Sequence, residues 1–363
     1  MKVLWITNIP SPYRVDFFNE LGKYCDLTVL YERKKADNRQ WNSDENKNYK
    51  VVFLKGLKKD VDTALCFEVI KYLNKRKYRH IVVGGYSTPT GMLAIQYMRF
   101  RRIKYILNCD GGFVREEKKL NYIVKKHFIS KANCYLSSGK ETNKYLIHYG
   151  AKSENINIYP FTSLYNEDIL DVVKNVTEKQ CIRKKYNIVG ERIIVFVGQM
   201  IPRKGIDILL KAATKFSREI HTYIIGGKPT QEYLNIINDE LNQENIHFLD
   251  FMNKSDLYQY LQASDLFVFP TREDIWGLVV NEAMANGLPV ITTNKCVAGR
   301  ELVHDNGYII NADDHEELVK KIEKCIYNNE LLNFFSLNSI QNIRNYTIEK
   351  MARKIFNIMK ELG

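Results

Sequence analysis

The residues best suited to chemistry fall in two loops. One lies within Phe269 to Thr292 (FPTREDIWGLVVNEAMANGLPVIT), where Arg272, Glu273 and Asp274 follow the apolar run DLFVF and Glu282 stands eight positions after Asp274. The other carries Arg203 and Lys204, within Ile193 to Ala212 (IIVFVGQMIPRKGIDILLKA). Carboxylates accept hydrogen bonds from sugar hydroxyls. Arg and Lys neutralise a diphosphate, the first as a planar fork and the second as a mobile point charge. A helix opening at Gly277 would offer the free N–H groups of its first turn, at Gly277, Leu278 and Val279, to a phosphate. The combination suits transfer from a nucleotide sugar, in which negative charge grows on the leaving diphosphate and fixed positive groups lower the barrier. The plain alternative is an ordinary βαβ unit with a solvated acidic loop and a solvated basic turn.

These loops need strands and helices to place them. Candidate strands in the first half are Val3–Thr7, Leu27–Leu30, Val51–Leu54, Ile81–Gly84, Lys104–Asn108, Tyr135–Ser138 and Ile156–Tyr159. Helical patterns lie between them at Val15–Lys23, Asp62–Lys75, Thr90–Arg99, Lys118–Ile129 and Lys140–His148. After a connection from Pro160, with a helical segment over Glu167 to Lys185, the alternation restarts. Strands are expected at Ile193–Val197, Thr222–Ile225, Ile246–Phe248, Leu266–Phe269, Val290–Thr292 and Tyr308–Ile310. Helices are expected near Ile206–Phe216, Gln231–Glu240, Ser255–Gln262, Leu278–Asn286 and His315–Tyr327, and an amphipathic helix, Ile348–Leu362, closes the chain. Alternating apolar runs and helical patterns indicate doubly wound α/β domains with mostly parallel sheets. We expect an N-terminal Rossmann-like domain over residues 1–160, a second over 161–345, and a terminal helix over 346–363.

The chain has 363 residues, 45% hydrophobic and 26% charged, which suits two globular domains and excludes a disordered chain. It lacks an apolar run long enough for a membrane-spanning helix. The start, MKVLWITNIP, reads as a first strand rather than a signal peptide. Seven Cys without CxxC spacing argue against a zinc site or a disulfide framework and favour a reducing cytoplasm. Asp313-Asp314 precedes a helix and reads as a cap rather than a metal motif. The net charge of +12 fits phosphate-bearing ligands or an anionic membrane, and no nucleic-acid motif accompanies it.

A loop acid, Gly-Leu, a helix Glu and then Ala-Met-Ala-x-Gly-x-Pro-Val-Ile resembles the nucleotide-sugar motif of retaining family-4 glycosyltransferases. The resemblance implies the GT-B architecture, two Rossmann-like domains facing across a cleft, with the last helix returning to the first domain. It implies that Glu282 binds the nucleotide ribose and that a loop acid holds the sugar. Asp274 occupies the position where the family usually has Glu, and Glu273 beside it is the alternative. Gln199 stands where the family has Arg, which assigns the diphosphate to Arg203 and Lys204. Gly198 and Gly226, at strand ends, would let the backbone approach the donor; for Gly226-Gly227 a tight turn is the other reading. Asp110 replaces the family's His near the transferred sugar and either meets a sugar hydroxyl or is a turn residue. Ile9 to Arg14 replaces a common Gly pair, with Ser11 and Arg14 as residues to face the cleft.

The expected activity is therefore metal-independent, cofactor-free, retaining transfer from a nucleotide-diphosphate sugar, UDP foremost, to a saccharide or lipid-linked saccharide acceptor in surface-polysaccharide biosynthesis. The rival readings are a nucleotide-sugar epimerase and a catalytically idle sugar-binding protein. The basic helix Lys118–Ile129, near Arg99, Arg101, Arg102 and Lys104, either turns an apolar stripe to the core or touches an anionic membrane from the cytoplasmic side.

Overall fold

Val3, Leu4 and Trp5 in one half of the chain, and Ile194, Val195 and Phe196 in the other, are wholly buried although neighbouring side chains point to opposite faces. Strands buried on both faces belong in parallel sheets covered by helices on each side. The computed structural model describes residues 1–35, 48–238 and 243–363, and the chain divides into two compact units, Met1–Ser163 with Tyr346–Gly363, and Leu164–Asn345.

The first unit contains β1 (Lys2–Thr7), β2 (Asp26–Tyr31), β3 (Lys50–Phe53), a small hairpin of β4 (Leu57–Lys58) and β5 (Ala64–Leu65), β6 (His80–Val83), β7 (Ile106–Cys109), β8 (Cys134–Ser137) and β9 (Ile156–Ile158). Its parallel sheet runs β3-β2-β1-β6-β7-β8-β9. The helices are α1 (Pro12–Gly22), α2 (Pro89–Phe100), α3 (Lys119–Ile129) and α4 (Lys140–His148).

The second unit contains α5 (Val176–Tyr186), β10 (Arg192–Val197), α6 (Ile206–Ala213), β11 (Ile220–Ile225), α7 (Gln231–Ile237), β12 (Ile246–Leu249), α8 (Lys254–Ala263), β13 (Leu266–Phe269), α9 (Leu278–Ala285), β14 (Val290–Thr293), α10 (Val297–Leu302), β15 (Gly307–Ile310), α11 (His315–Ile326) and α12 (Asn329–Ile343). Its sheet is parallel, in the order β12-β11-β10-β13-β14-β15. Counted from β10, this is the 3-2-1-4-5-6 order of a Rossmann sheet, which reverses direction between β10 and β13. The last helix, α13 (Ile348–Glu361), belongs to the first unit. It buries Met351, Ala352, Ile355, Ile358 and Met359, and its Phe356 stacks on Tyr24 just beyond α1, with ring centroids 5.6 Å apart.

Two expectations are corrected. Asp62–Lys75 is not an α-helix: it holds β5 and a single 3-10 segment, Phe67–Tyr72. The Ala64 N–H donates to Glu32 Oε2 and the Cys66 N–H to Thr90 Oγ1, so side chains take donors that a helix would use and hold the chain extended. The segment Glu167–Lys185 is not one helix, because Asn175 starts α5 with a reciprocal capping box to Glu178. α12 is a helix that was not expected at all. The last residues of the expected helix Gln231–Glu240, 239 and 240, lie outside the described residues.

Candidate active site

The loops after β10 and β13 flank the point where the second sheet reverses, which is where ligands bind in sheets of this order. Backbone bonds join the two loops: Arg203 O accepts from the Arg272 N–H at 2.9 Å and from Thr271 Oγ1 at 3.0 Å. Gly205 makes this approach possible. Its φ is +69°, and a Cβ there would sit 2.0 Å from Pro270 O.

This seam sets the charged groups. Lys204 Nζ donates to Asp274 Oδ2 at 2.5 Å, and the two side chains are only 12% and 13% exposed, so water screens the pair weakly. The same Nζ lies 5.0 Å from the centre of the Phe269 ring. Asp274 Oδ1 accepts from the Trp276 N–H at 3.3 Å, closing an Asx turn. Main-chain bonds to Lys295 and Val297 anchor Asp274 further, at 2.9 and 3.1 Å. Arg203 Nη1 donates to Glu273 O at 2.6 Å. Of the two loop acids, Asp274 therefore carries the side-chain contact to Lys204, while Glu273 meets Arg203 through its carbonyl.

Arg272 braces the seam. It makes paired bonds of 2.7 and 2.6 Å to Asp207 at the start of α6, and reaches Asp313 at 2.6 Å and Pro202 O at 2.6 Å. Burial pushes the Asp207 carboxyl up, but the bonds and charge of Arg272 outweigh it and hold the group below its ordinary value. Sequence reasoning gave Arg272 no role, because its partners are distant in the chain. Asp314 caps α11 by accepting from the Glu317 N–H at 2.8 Å.

α9 begins at Gly277, whose φ of +100° favours glycine and where a Cβ would meet Cys296 Sγ at 2.8 Å. The N–H groups of Gly277, Leu278 and Val279 have no partner among the described residues, and no side chain caps the helix. Trp276 is buried, donating from Nε1 to Asn281 Oδ1 at 2.9 Å. Glu282, one turn into α9, is half-buried. Its charge and that of Asp168 act on Tyr258 of α8, whose hydroxyl is raised mainly by burial and has no hydrogen-bond partner among the described residues. Sequence reasoning missed Tyr258. Cys296 Sγ donates to Trp276 O at 3.2 Å, and burial pushes the thiol up to about 12, so it is a packed and inert group.

Gly198 and Gly226 meet each other. A Cβ on Gly226 would lie 2.2 Å from Gly198 O, so the ends of β10 and β11 approach as closely as two backbones can. Gly226 and Gly227 both donate to Leu249 O, at 3.0 and 3.3 Å.

Asp110 directly follows β7 in the first unit. Oδ1 accepts from Tyr159 Oη at 2.7 Å and from Asn108 Nδ2 at 2.7 Å, while Oδ2 pairs with Arg14. Ser11 and Arg14 are both buried, and Arg14 lies among the rings of Trp5, Tyr13 and Phe17.

Residues 178–342 match the family model of glycosyl transferases group 1. That match takes in most of the second unit. The chain is 24% identical over 272 residues to an uncharacterised 41.2 kDa protein in the cps region of Klebsiella pneumoniae, covering 71% of this chain and 72% of that one. It is 31% identical to the O-antigen biosynthesis glycosyltransferase WclY of Escherichia coli over 120 residues, 32% of this chain and 33% of that one. The Anabaena protein Alr3699/HepE, solved in complex with UDP, superposes with a TM-score of 0.79 at 16% identity, covering 99% of this chain and 100% of that one. The chain thus has the GT-B fold class, with two Rossmann-like α/β units. The Arg203–Lys204 loop, the Asp274 loop and the start of α9 all lie within the matched residues.

Proposed function

We propose that this glycosyltransferase transfers a sugar, with retention and without a metal ion, from a nucleotide-diphosphate sugar to a saccharide or lipid-linked saccharide acceptor in polysaccharide biosynthesis. UDP is the nucleotide we assign to it. The observation that carries this reading is the Lys204–Asp274 pair, held beside the open start of α9 at the reversal of a Rossmann sheet. The relatives from a cps region and from O-antigen biosynthesis support the pathway, and the UDP-bound structural neighbour supports the nucleotide.

Each group has a role in this scheme. A Lys ammonium has three donors, and Lys204 directs one to Asp274, so others can meet a phosphate oxygen. Arg203 and Lys204, with the N–H groups of Gly277, Leu278 and Val279, stabilise the charge that grows on the departing diphosphate. Asp274, or Glu273 beside it, accepts from the hydroxyls of the transferred sugar. Glu282 accepts from the ribose, and Gly198 and Gly226 keep the strand ends low beneath the donor. In the first unit, Asp110 is the group we assign to a sugar hydroxyl. The leaving phosphate assists deprotonation of the acceptor hydroxyl on the same face.

The test is a panel of nucleotide sugars, read first as thermal stabilisation and then as transfer. A bound donor raises the unfolding temperature by mass action. Arg203→Ala and Lys204→Ala should each lower transfer by about 100-fold, and undiminished turnover in both variants would sink the mechanism.

A further inference from the structure

The first sheet also reverses direction, between β1 and β6, and the chain leaving β1 brings Arg14 to this point. Arg14 lies in the first turn of α1, and its place there is costly. A cation at a helix N-terminus stands at the wrong end of the helix dipole. The side chain is only 3% exposed, so the guanidinium has given up most of its hydration. Its Nη1 is buried with no hydrogen-bond partner among the described residues.

What Arg14 touches explains the cost. The rings of Trp5, Tyr13 and Phe17 lie around its Cζ with centres 5.9, 5.5 and 6.0 Å away, and Nη2 pairs with Asp110 Oδ2. From the other side, Tyr159 Oη and Asn108 Nδ2 each donate to Asp110 Oδ1 at 2.7 Å. Tyr159 and Asn108 are both buried. Burial raises the Tyr159 hydroxyl well above its ordinary value, so it stays a donor. A carboxylate has about four lone-pair sites. Two on Oδ1 and one on Oδ2 are taken, which leaves one acceptor position on a side chain that is still 20% exposed.

We propose that Arg14 is a positioning residue for transfer: with Tyr159 and Asn108 it locks Asp110 in one orientation, so that the carboxylate presents a single acceptor to one sugar hydroxyl. The proposal rests on the assignment of Asp110 to a sugar hydroxyl and goes beyond it in naming what aims the carboxylate. An unheld aspartate turns about its side-chain bonds and offers either oxygen. Fixing it from both sides removes that freedom before the ligand arrives. Stability of the fold does not call for the pair, because uncharged residues at 14 and 110 would fill the space without burying charge.

The experiment measures kcat and KM for transfer, and thermal stabilisation by UDP alone, in five variants. Asp110→Asn and Arg14→Met should each lower kcat about 100-fold. Tyr159→Phe removes one hydroxyl and should lower it about tenfold. Arg14→Lys restores the cation but not the fork, and should recover about tenfold over Arg14→Met. The double variant Arg14→Met, Asp110→Asn should match Asp110→Asn within about twofold, since Arg14 acts through Asp110. UDP, which we assign to groups of the second unit, should stabilise every variant as it does the wild type, and a general loss of structure would not allow this. The double variant leaves no charge buried alone, so it folds even where Arg14→Met does not; in that case Arg14→Lys and Tyr159→Phe decide, and full kcat in both overturns the proposal. Full kcat in Arg14→Met, or a double variant about tenfold or more below Asp110→Asn, overturns the positioning role and leaves the assigned reaction standing. Unchanged kcat in Asp110→Asn overturns the sugar contact and the role of Arg14 together. A wild-type chain that transfers from no donor of the panel overturns the assigned reaction, and this proposal with it.

Discussion

Lys204 and Asp274 stand 70 residues apart in the chain and 2.5 Å apart in space, and the bond between them joins the two loops at the reversal of the second sheet. The Asx turn that fixes Asp274 needs a short side chain, since its Oδ1 reaches back to the Trp276 N–H. This gives a physical reason for aspartate at position 274. Asp274→Glu should therefore lose that bond and destabilise the fold by about 1 kcal/mol, measured by urea unfolding. A more stable variant would show that the turn does not select the residue.

Tyr258 carries a buried hydroxyl with no hydrogen-bond partner among the described residues, beside the charges of Glu282 and Asp168. Leaving such a group unpaired costs about 1–3 kcal/mol. Tyr258→Phe should raise stability by about 1 kcal/mol without altering the fold. Loss of stability in the phenylalanine variant would mean that the hydroxyl has a partner in solution.

Glu32 gives the first unit a pH dependence. Burial pushes its carboxyl up to about 7, against the opposing bonds from Thr88 and the Ala64 N–H. An acid raised in this way holds its proton in the folded state after the unfolded chain has released it. Its contribution is complete below the unfolded value of about 4.5 and is lost as pH rises through about 7. Stability should fall across that window by about 3 kcal/mol, and Glu32→Gln should flatten the slope in denaturation curves taken at several pH values. An equal slope in the variant would assign it to another group.

The thiols should divide sharply. Of the seven free cysteines only Cys181 is exposed, while Cys109 and Cys296 are both pushed up to about 12, first by burial. A thiol-alkylating reagent at neutral pH should label Cys181 alone in the native chain and all seven after denaturation, as read by mass spectrometry. Native labelling of Cys296 would contradict the packing around Trp276.

The strands were legible because both their faces are buried, so each reads as an unbroken apolar run, as in Val3–Ile6 and Ile193–Val197. The charges of the two site loops were legible as residue types. Their pairing was not, since nothing local marks Lys204 for Asp274 or Arg272 for Asp207 and Asp313. α12 escaped notice for a definite reason. Its inward positions, Leu332, Phe335, Ser336, Ser339, Ile340 and Ile343, keep a clean helical spacing, but two are serine. Ser339 is admitted to the core by donating to Leu288 O at 2.7 Å and accepting from Asn306 Nδ2 at 3.2 Å. The error over Asp62–Lys75 has the same root, since Glu32 and Thr90 are far away in sequence from the N–H groups they hold.

The membership of α13 in the first unit has a consequence for how the chain is made. Leu164–Asn345 is one continuous segment and can complete its contacts as soon as it has left the ribosome. The first unit begins synthesis earlier yet finishes later, because the helix that lies against α1 follows the whole of the second unit in the chain. Until then the surface that will receive Met351, Ile355 and Met359 is bare, so the half of the molecule that starts first is the half exposed longest to chaperones and to premature association.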